Sequence, residues 1–296
     1  MLTGILAGLV AGALWGLVFV VPRMLPGFSP VDIATGRLLA YGLIALAILG
    51  VWMRGRPLPT WRQAGAALWL SVLGFTGYYL LLVLAIRDAG VEVPTLVIGT
   101  IPIWVMLLGK PAGLLWRRLL PGLVLTALGL ALMMEVPQQL PGADTGHFWR
   151  GVVWAVASML CWTAFAIFNS AWVLRHPEVS AADWANWLGV GTGAGALILG
   201  LAGASSPAQL LAHPQVGLLV LLCLATGLGS SWLATVLWNI ASQRLSASLC
   251  GKLIVSETLF ALLYSFAWDS HWPSAAQWLA CVLFTAGILA SIRAHR

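Results

Sequence analysis

The sequence predicts an all-α polytopic membrane protein with ten transmembrane helices. Three observations carry this: 60% of the 296 residues are hydrophobic, only 8% are charged, and apolar stretches of span length follow one another with short breaks. Soluble domains carry about 25% charged residues, so an ordinary soluble fold is excluded. A helix of about 20 apolar residues covers the roughly 30 Å of bilayer hydrocarbon. Windows of that kind run over about 4–22, 31–52, 63–85, 92–109, 118–136, 149–172, 182–203, 215–239, 246–267 and 275–293. The first begins almost at Met1, without a basic leader or a small-residue cleavage pattern, and so reads as a span and not as a cleaved signal.

An even number of spans puts both termini on one side, and the basic residues say which. With a cytoplasmic N-terminus, the inner side holds Arg54, Arg56, Arg62, Lys110, Arg117, Arg118, Arg175, Arg244, Arg293 and Arg296, and the outer side only Arg23, Arg87 and Arg150. This positive-inside bias makes both termini cytoplasmic. It also accounts for the net charge of +6 with the bilayer as partner and no nucleic acid. Cys161, Cys223, Cys250 and Cys281 all fall in apolar runs and read as small packing residues.

The loop signals recur about 150 residues apart. "SPVD" (Ser29 to Asp32) precedes the second window and "SAAD" (Ser180 to Asp183) the seventh, both as helix-capping patterns. "ALWGLVF" around Trp15 matches "LCWTAFA" around Trp162, "AIRDAGVEV" matches "ASQRLSASL", and "LTALGLAL" matches "LFTAGILA". The chain therefore divides into a first five-helix repeat, 1–140, and a second, 141–296. Five is odd, so the second repeat enters the membrane inverted. Inverted repeats are the layout of secondary transporters, whose sites lie near the midplane between the repeats.

These features, with the arginine early in the second window and the passage "YYLLLVLAIRDAGVEVPTLVIGTIPIWV", resemble the EamA-type members of the drug/metabolite transporter superfamily over essentially the whole chain. Within it the sequence looks most like the YddG-type exporters of aromatic amino acids. The resemblance implies two inverted five-helix repeats around a central cavity, with the fifth and tenth spans at the periphery. The proline common in the ninth span of EamA relatives is missing, and Glu257 stands about where Pro102 sits in the fourth.

Charges inside spans are costly and mark function or pairing. Of the nine acidic residues, Glu257 alone lies deep in a window. Ser248, Lys252 and Ser256, four apart, share one helix face, while Glu257 lies five residues from Lys252 and so about 140° round the helix. A cavity-facing stripe lets Lys252 meet a substrate carboxylate; otherwise its stem carries the amine to the interface. Glu257 is either a coupling carboxylate or one that fastens helices. Arg37, with Tyr41 one turn deeper on the same face, either snorkels to the outer interface or binds at the Asp32 cap, or else contacts the substrate or serves as a gate.

Of the 17 tryptophans, Trp52, Trp61, Trp116, Trp149, Trp172, Trp184, Trp268, Trp272 and Trp278 fall near window ends and read as interfacial anchors. Trp15, Trp104 and Trp162 lie nearer the midplane and, with Tyr78 and Tyr79, form either an aromatic substrate wall or interior filling. Gly4, Gly8, Gly12 and Gly16 make a small-residue ridge, and Gly189, Gly191, Gly193 and Gly195 recur in the seventh window. Pro94, Gly99 and Pro102 predict a break in the fourth window, with Gly251 a weaker counterpart in the ninth.

All five histidines lie in loops or at the tail, so neither a metal site nor histidine acid-base chemistry is expected. No phosphate-binding loop motif is present, so no nucleotide cofactor is expected. The expectation is an inner-membrane secondary transporter, not an enzyme, acting as a monomer and exporting small amphipathic solutes, foremost aromatic amino acids. The alternatives are a broad exporter of drugs or lipophilic cations, an intramembrane enzyme acting on lipids, and a pore.

Overall fold

The structure, a computed structural model, describes residues 1–25, 27–52, 58–89, 92–109, 113–133, 145–269 and 275–294. Arg54, Arg56, Lys110, Glu135, Asp144, His271, Trp272, His295 and Arg296 lie outside the described residues, as do the side chains of Arg23, Trp52, Arg87, Glu92, Trp268 and Asp269. Among the described residues every regular element is helical. Lipid offers the backbone no hydrogen-bond partners, so an apolar chain satisfies its amides within each segment.

The first window is α1 (Leu2–Gly16), a 3-10 turn (Leu17–Phe19) and the short α2 (Val21–Met24). α3 (Pro30–Trp52) fills the second. α4 (Trp61–Ser71) passes through a π-helical segment (Val72–Thr76) into α5 (Gly77–Ala89). α6 (Glu92–Gly99) and α7 (Ile101–Leu108) share the fourth window, and α8 (Trp116–Met133) takes the fifth. α9 (Thr145–Arg175) and α10 (Ala181–Gly203) follow, then the connecting α11 (Pro207–Ala212). α12 (Val216–Thr226) passes through a second π segment (Gly227–Leu233) into α13 (Ala234–Arg244). α14 (Ala247–Asp269) and α15 (Ala275–Ala294) close the chain.

Five stretches among the described residues are long and apolar enough to cross a membrane: Pro30–Val51, Trp61–Ile86, His147–Arg175, Ala181–Gly203 and Val216–Arg244. Leu2–Gly16, Val97–Leu108 and Trp278–Ala294 are shorter apolar helices.

The capping patterns close as their residue types dictate. The Ser29 hydroxyl accepts from the Asp32 amide at 3.1 Å, and the Asp32 carboxylate accepts from the Ser29 amide at 3.1 Å. The same carboxylate accepts from the Ser205 amide and hydroxyl at 2.7 and 2.9 Å, pinning the end of α10 to the start of α3. Ser180 caps α10 by accepting from the Asp183 amide at 3.0 Å. The fourth window is interrupted at Thr100, whose hydroxyl donates to the Val97 carbonyl at 2.6 Å. Pro102 then enters α7 in its first turn, where its missing N–H leaves no bond unmade.

The packing partners come in matched sets. α3 lies along α10, α8 along α15, and α7 against α14. α1 packs on α13 and α14, while α9 packs on α5, α6 and α7. Glycine makes the closest of these contacts. On α1, a Cβ added at Gly8 would meet the Leu253 side chain at 2.7 Å, and one at Gly16 the Ala261 amide nitrogen at 2.9 Å, so α14 lies directly on this ridge.

A buried polar network ties α9, α10 and α13. Asn169 donates to Asn239 at 3.0 Å, Trp184 Nε1 donates to Asn169 at 2.7 Å, and Asn239 donates to the Ala181 carbonyl at 3.3 Å. This corrects the interfacial reading of Trp184. It is fully buried and stacks on Trp172 at 3.4 Å between ring centroids, 9° from parallel. Its N–H has a fixed protein partner and no use for the headgroup region. Trp61, Trp116, Trp149 and Trp278 are exposed, as an interfacial belt requires.

Candidate functional site

Three tryptophans converge where α1, α9 and α13 meet. The Trp15 ring centroid lies 5.4 Å from Trp238 and 6.2 Å from Trp162, and Trp162 closes the triangle at 6.3 Å from Trp238. Contacts continue from Trp162 through Phe165 (6.1 Å) and Phe75 (5.5 Å) to Tyr41 (5.7 Å). Most of these rings meet edge-on or tilted, which sets the positive edge of one against the negative face of another. Trp15 stands three residues on from Gly12 and flanks the glycine ridge, so α14 can approach α1 without displacing the indole.

At the Tyr41 end of this aromatic row, Arg37 precedes Tyr41 by one turn on α3. Its Nε is buried and has no hydrogen-bond partner. Among the described residues no hydrogen bond or ion pair joins Arg37 to Glu257. Asp32 already accepts from Ser29 and Ser205, so the guanidinium is not held at the cap of its own helix. Glu257 is half-buried, with its backbone against α1: a Cβ at Gly12 would sit 3.1 Å from its nitrogen, and one at Gly16 3.2 Å from its oxygen. Tyr79 donates its hydroxyl to the Pro30 carbonyl at 2.7 Å, which fixes α5 to the start of α3. Tyr78 makes no side-chain hydrogen bond among the described residues.

A cavity of about 450 Å³ opens between the first window, the α12 end and α14, lined among others by Leu17, Val21, Thr226, Ser230 and Tyr264, and its described lining includes neither the aromatic row nor Arg37 or Glu257. Small-molecule sites typically occupy about 300–1,000 Å³ with few polar groups in an apolar wall.

The serine-lysine stripe lies elsewhere. Ser248, Lys252 and Ser256 are 0, 0 and 1% exposed, so none reaches an open space here. Ser248 donates to the Met106 carbonyl at 3.1 Å, and Ser256 to Leu253 on its own helix at 2.6 Å. Lys252 Nζ donates to the Gly122 carbonyl at 2.9 Å, with Gly287 beside it, so the amine is lodged among α8, α14 and α15. In this arrangement the Lys252 amine donates to a helix carbonyl and is buried.

The other expected residues divide similarly. Trp104 is 41% exposed and donates to Thr100 at 3.1 Å, apart from the aromatic row. Pro94 is buried in α6, Gly99 ends that helix, and a Cβ on Gly251 would meet Val105 at 2.5 Å, so Gly251 is where α14 rides on α7. Sequence reasoning missed Trp238, Phe75 and Phe165. The run "LWNIASQR" carried a signal for the first, since Trp238, Asn239 and Ser242 are all buried on a helix whose polar residues need an interior.

Comparison with known proteins agrees with this architecture. The EamA-like transporter family model matches residues 2–135. The inner membrane protein YtfF of Escherichia coli (strain K12) is 32% identical over 311 residues, spanning 99% of this chain and 96% of that protein. A solved crystal structure superimposes with a TM-score of 0.78 at 18% identity, covering 98% of each chain, a likeness of fold. The chain belongs to the EamA-like transporter family, in the drug/metabolite transporter superfamily, and is a multi-pass inner-membrane protein.

Proposed function

We propose that the chain is a secondary transporter that exports small amphipathic solutes, foremost aromatic amino acids, across the inner membrane. Its ten spans work as two inverted five-helix repeats, 1–140 and 141–296, with both termini cytoplasmic. The observation that carries this reading is the Trp15, Trp162 and Trp238 triangle, drawn from both halves and continued by Phe165, Phe75 and Tyr41 to Arg37. Flat apolar faces beside a charged end suit a solute with an aromatic body and a polar head. The matched packing sets and the two π segments, at Val72–Thr76 and Gly227–Leu233, support the repeat. π segments within α-helices cluster at functional sites, and alternating access requires one half to rock against the other.

In this reading Trp15, Trp162, Tyr78 and Arg37 border the solute, joined by Trp238 and Glu257. Lys252 and Ser248 fasten α14 to its neighbours, Ser256 bonds back within α14, and Trp104 faces outward. The test is flux of labelled tryptophan and phenylalanine into liposomes containing the purified protein. Flux above empty vesicles is expected, and its absence would sink the proposal. A second reading, export of lipophilic cations, rests on the half-buried Glu257. It predicts flux of a cation such as ethidium that Glu257→Gln abolishes while tryptophan flux is absent.

A further inference from the structure

The glycine ridge of α1 ends at Gly16, where an added Cβ would stand 2.9 Å from the Ala261 nitrogen of α14. Beyond it the chain tightens into the 3-10 turn Leu17–Phe19 and large side chains begin, so the close contact with α14 cannot continue. Across from it, the π segment Gly227–Leu233 sets Gly227 against α3, where a Cβ would meet the Ala40 side chain at 2.7 Å. Two residues on, a Cβ at Gly229 would find nothing within 4 Å. The cavity of about 450 Å³ lies where these two irregular stretches face each other, with Leu17 and Gly229 in its lining and Tyr264 of α14 as a third wall.

No charged side chain belongs to the described lining. Thr226 donates its hydroxyl back to the Leu222 carbonyl at 2.6 Å, and Ser230, four residues on, has the same recourse on its own helix. Water has too few partners to stay here, and an empty space of this size would deprive its walls of dispersion contacts. Leu17 in the lining is exposed, as are Leu221, Leu228 and Leu263, each next in sequence to a lining residue. In a membrane-spanning chain such leucines face lipid tails, so the space is continuous with the lipid-facing surface. The lining from Leu222 to Ser230 covers about 12 Å at helical rise, a depth that suits part of an extended acyl chain. Tyr264 stands near the end of the ninth window, with its hydroxyl unpartnered among the described residues. A tyrosine at that level keeps its ring in hydrocarbon and its polar tip among headgroups.

We propose that this cavity is a binding site for one acyl tail of a membrane phospholipid, held between the first span, the α12 end with its π segment, and α14, with Tyr264 at the level of the glycerol esters. The ligand is hydrocarbon and not the transported solute: nothing in the described lining answers a charged head group, and neither the tryptophan triangle nor Arg37 borders it. The site goes beyond the proposed export and does not depend on it. Its walls come from both ends of the chain, so a seated tail ties the first span to α12 and α14 and stabilises the folded protein by mass action.

Two glycines make a matched pair of probes. A Cβ finds nothing within 4 Å at Gly229, inside the cavity, or at Gly217, on an exposed part of α12 outside it. Leucine thus meets no obstacle at Cβ in either place, and only at 229 does it take the space of the tail. The full chain is delipidated in detergent and titrated with dipalmitoyl phosphatidylethanolamine, reading the melting temperature and, by native mass spectrometry, the lipid retained. Wild type and Gly217→Leu are expected to retain a single lipid under activation that removes detergent, and to melt a few degrees higher with it. Gly229→Leu should melt without lipid at or above wild type, because it fills the space. It should bind the lipid about tenfold or more weakly, as an overpacked contact implies, and show no melting shift. Ala267→Leu, on the α14 wall, should repeat that loss, so the outcome does not hang on one variant's folding.

Equal retention and an equal melting shift in Gly229→Leu, Ala267→Leu and wild type would overturn the site. Loss in Gly217→Leu to the same degree would also overturn it, by marking the lipid as part of the general annulus. So would displacement by water-soluble glycerophosphoethanolamine, since the headgroup would then be the ligand. A phospholipid with a photoactivatable diazirine on its tail gives the position: labelled peptides should contain residues 17–24 or 222–230. Labelling spread equally over Leu197, Ile198 and Leu201, the exposed face of α10, would refute the site. Neither readout uses flux, so failure of the export reading and failure of the lipid site are told apart.

Discussion

Gly42 of α3 and Gly193 of α10 meet backbone to backbone: a Cβ added to Gly42 would stand 2.5 Å from the Gly193 Cα, and one added to Gly193 2.8 Å from the Gly42 Cα. No flexible side chain is present at this crossing to give way, so any side chain must push the two helices apart. Van der Waals contact between small residues is what holds helices together in lipid. Gly42→Leu is expected to lower the detergent melting temperature and expression sharply, and Gly42→Ala to cost about 1–3 kcal/mol as an overpacked contact. A thermal melt of Gly42→Ala matching wild type would show that this crossing is not tightly held.

Asn169 is both donor and acceptor in the network that buries Trp184. Asn169→Ala strands the Trp184 N–H and one side of Asn239, at about 1–3 kcal/mol for each unsatisfied group. The expected result is a clear loss of thermal stability, with little change in solute affinity once the protein is folded, read from melting curves and KM.

Lys252 has a hydrogen-bonded place among α8, α14 and α15 and no exposed surface. Lys252→Met fills nearly the same volume, and exchange of a buried ionic group for an apolar one of similar shape is commonly near neutral. Transport KM should stay within about twofold of wild type, whereas Lys252→Ala should lose stability through the space it leaves. A large rise in KM for Lys252→Met would return this lysine to the solute site.

Trp15→Ala removes one corner of the aromatic triangle. An aromatic pair is worth about 0.5–1.5 kcal/mol beyond its area. Affinity for tryptophan should drop several-fold, while leucine binding, which uses the same charged end, should change less. Equal losses for both solutes would mark Trp15 as structural filling.

Topology is open to a separate measurement. A reporter active only in the cytoplasm, fused after Arg296, should be active if both termini lie inside as the basic residues imply. Activity of a periplasmic reporter at that point would invert the whole arrangement.

The elements were legible in the sequence because lipid leaves the chain little choice: each apolar window had to become helix, and Ser29, Asp32, Ser180 and Pro102 marked the ends and a break by their own chemistry. What spacing could not supply was the identity of the neighbour. Ser248, Lys252 and Ser256 were read correctly as one face of one helix, yet Ser248 meets α7, Lys252 meets α8, and Ser256 turns back on Leu253. Trp184 fell near a window end and looked like a headgroup anchor, but Asn169, fifteen residues away in sequence, claims its N–H. The wide turns at Val72–Thr76 and Gly227–Leu233 had no proline to announce them.

Those two wide turns also bear on how the chain tolerates change. A π segment is the mark of one residue in excess of an α-helix, so each of these rods is longer in sequence than its height requires. Deleting one residue from Val72–Thr76 would close the wide turn to an ordinary α turn and leave Tyr78 and the side chains beyond it on nearly the same face, whereas the same deletion within α5 would swing everything after it by about 100°. The wide turn is thus slack in the sequence: it is the place where the rod absorbs a change of one residue without turning its upper half.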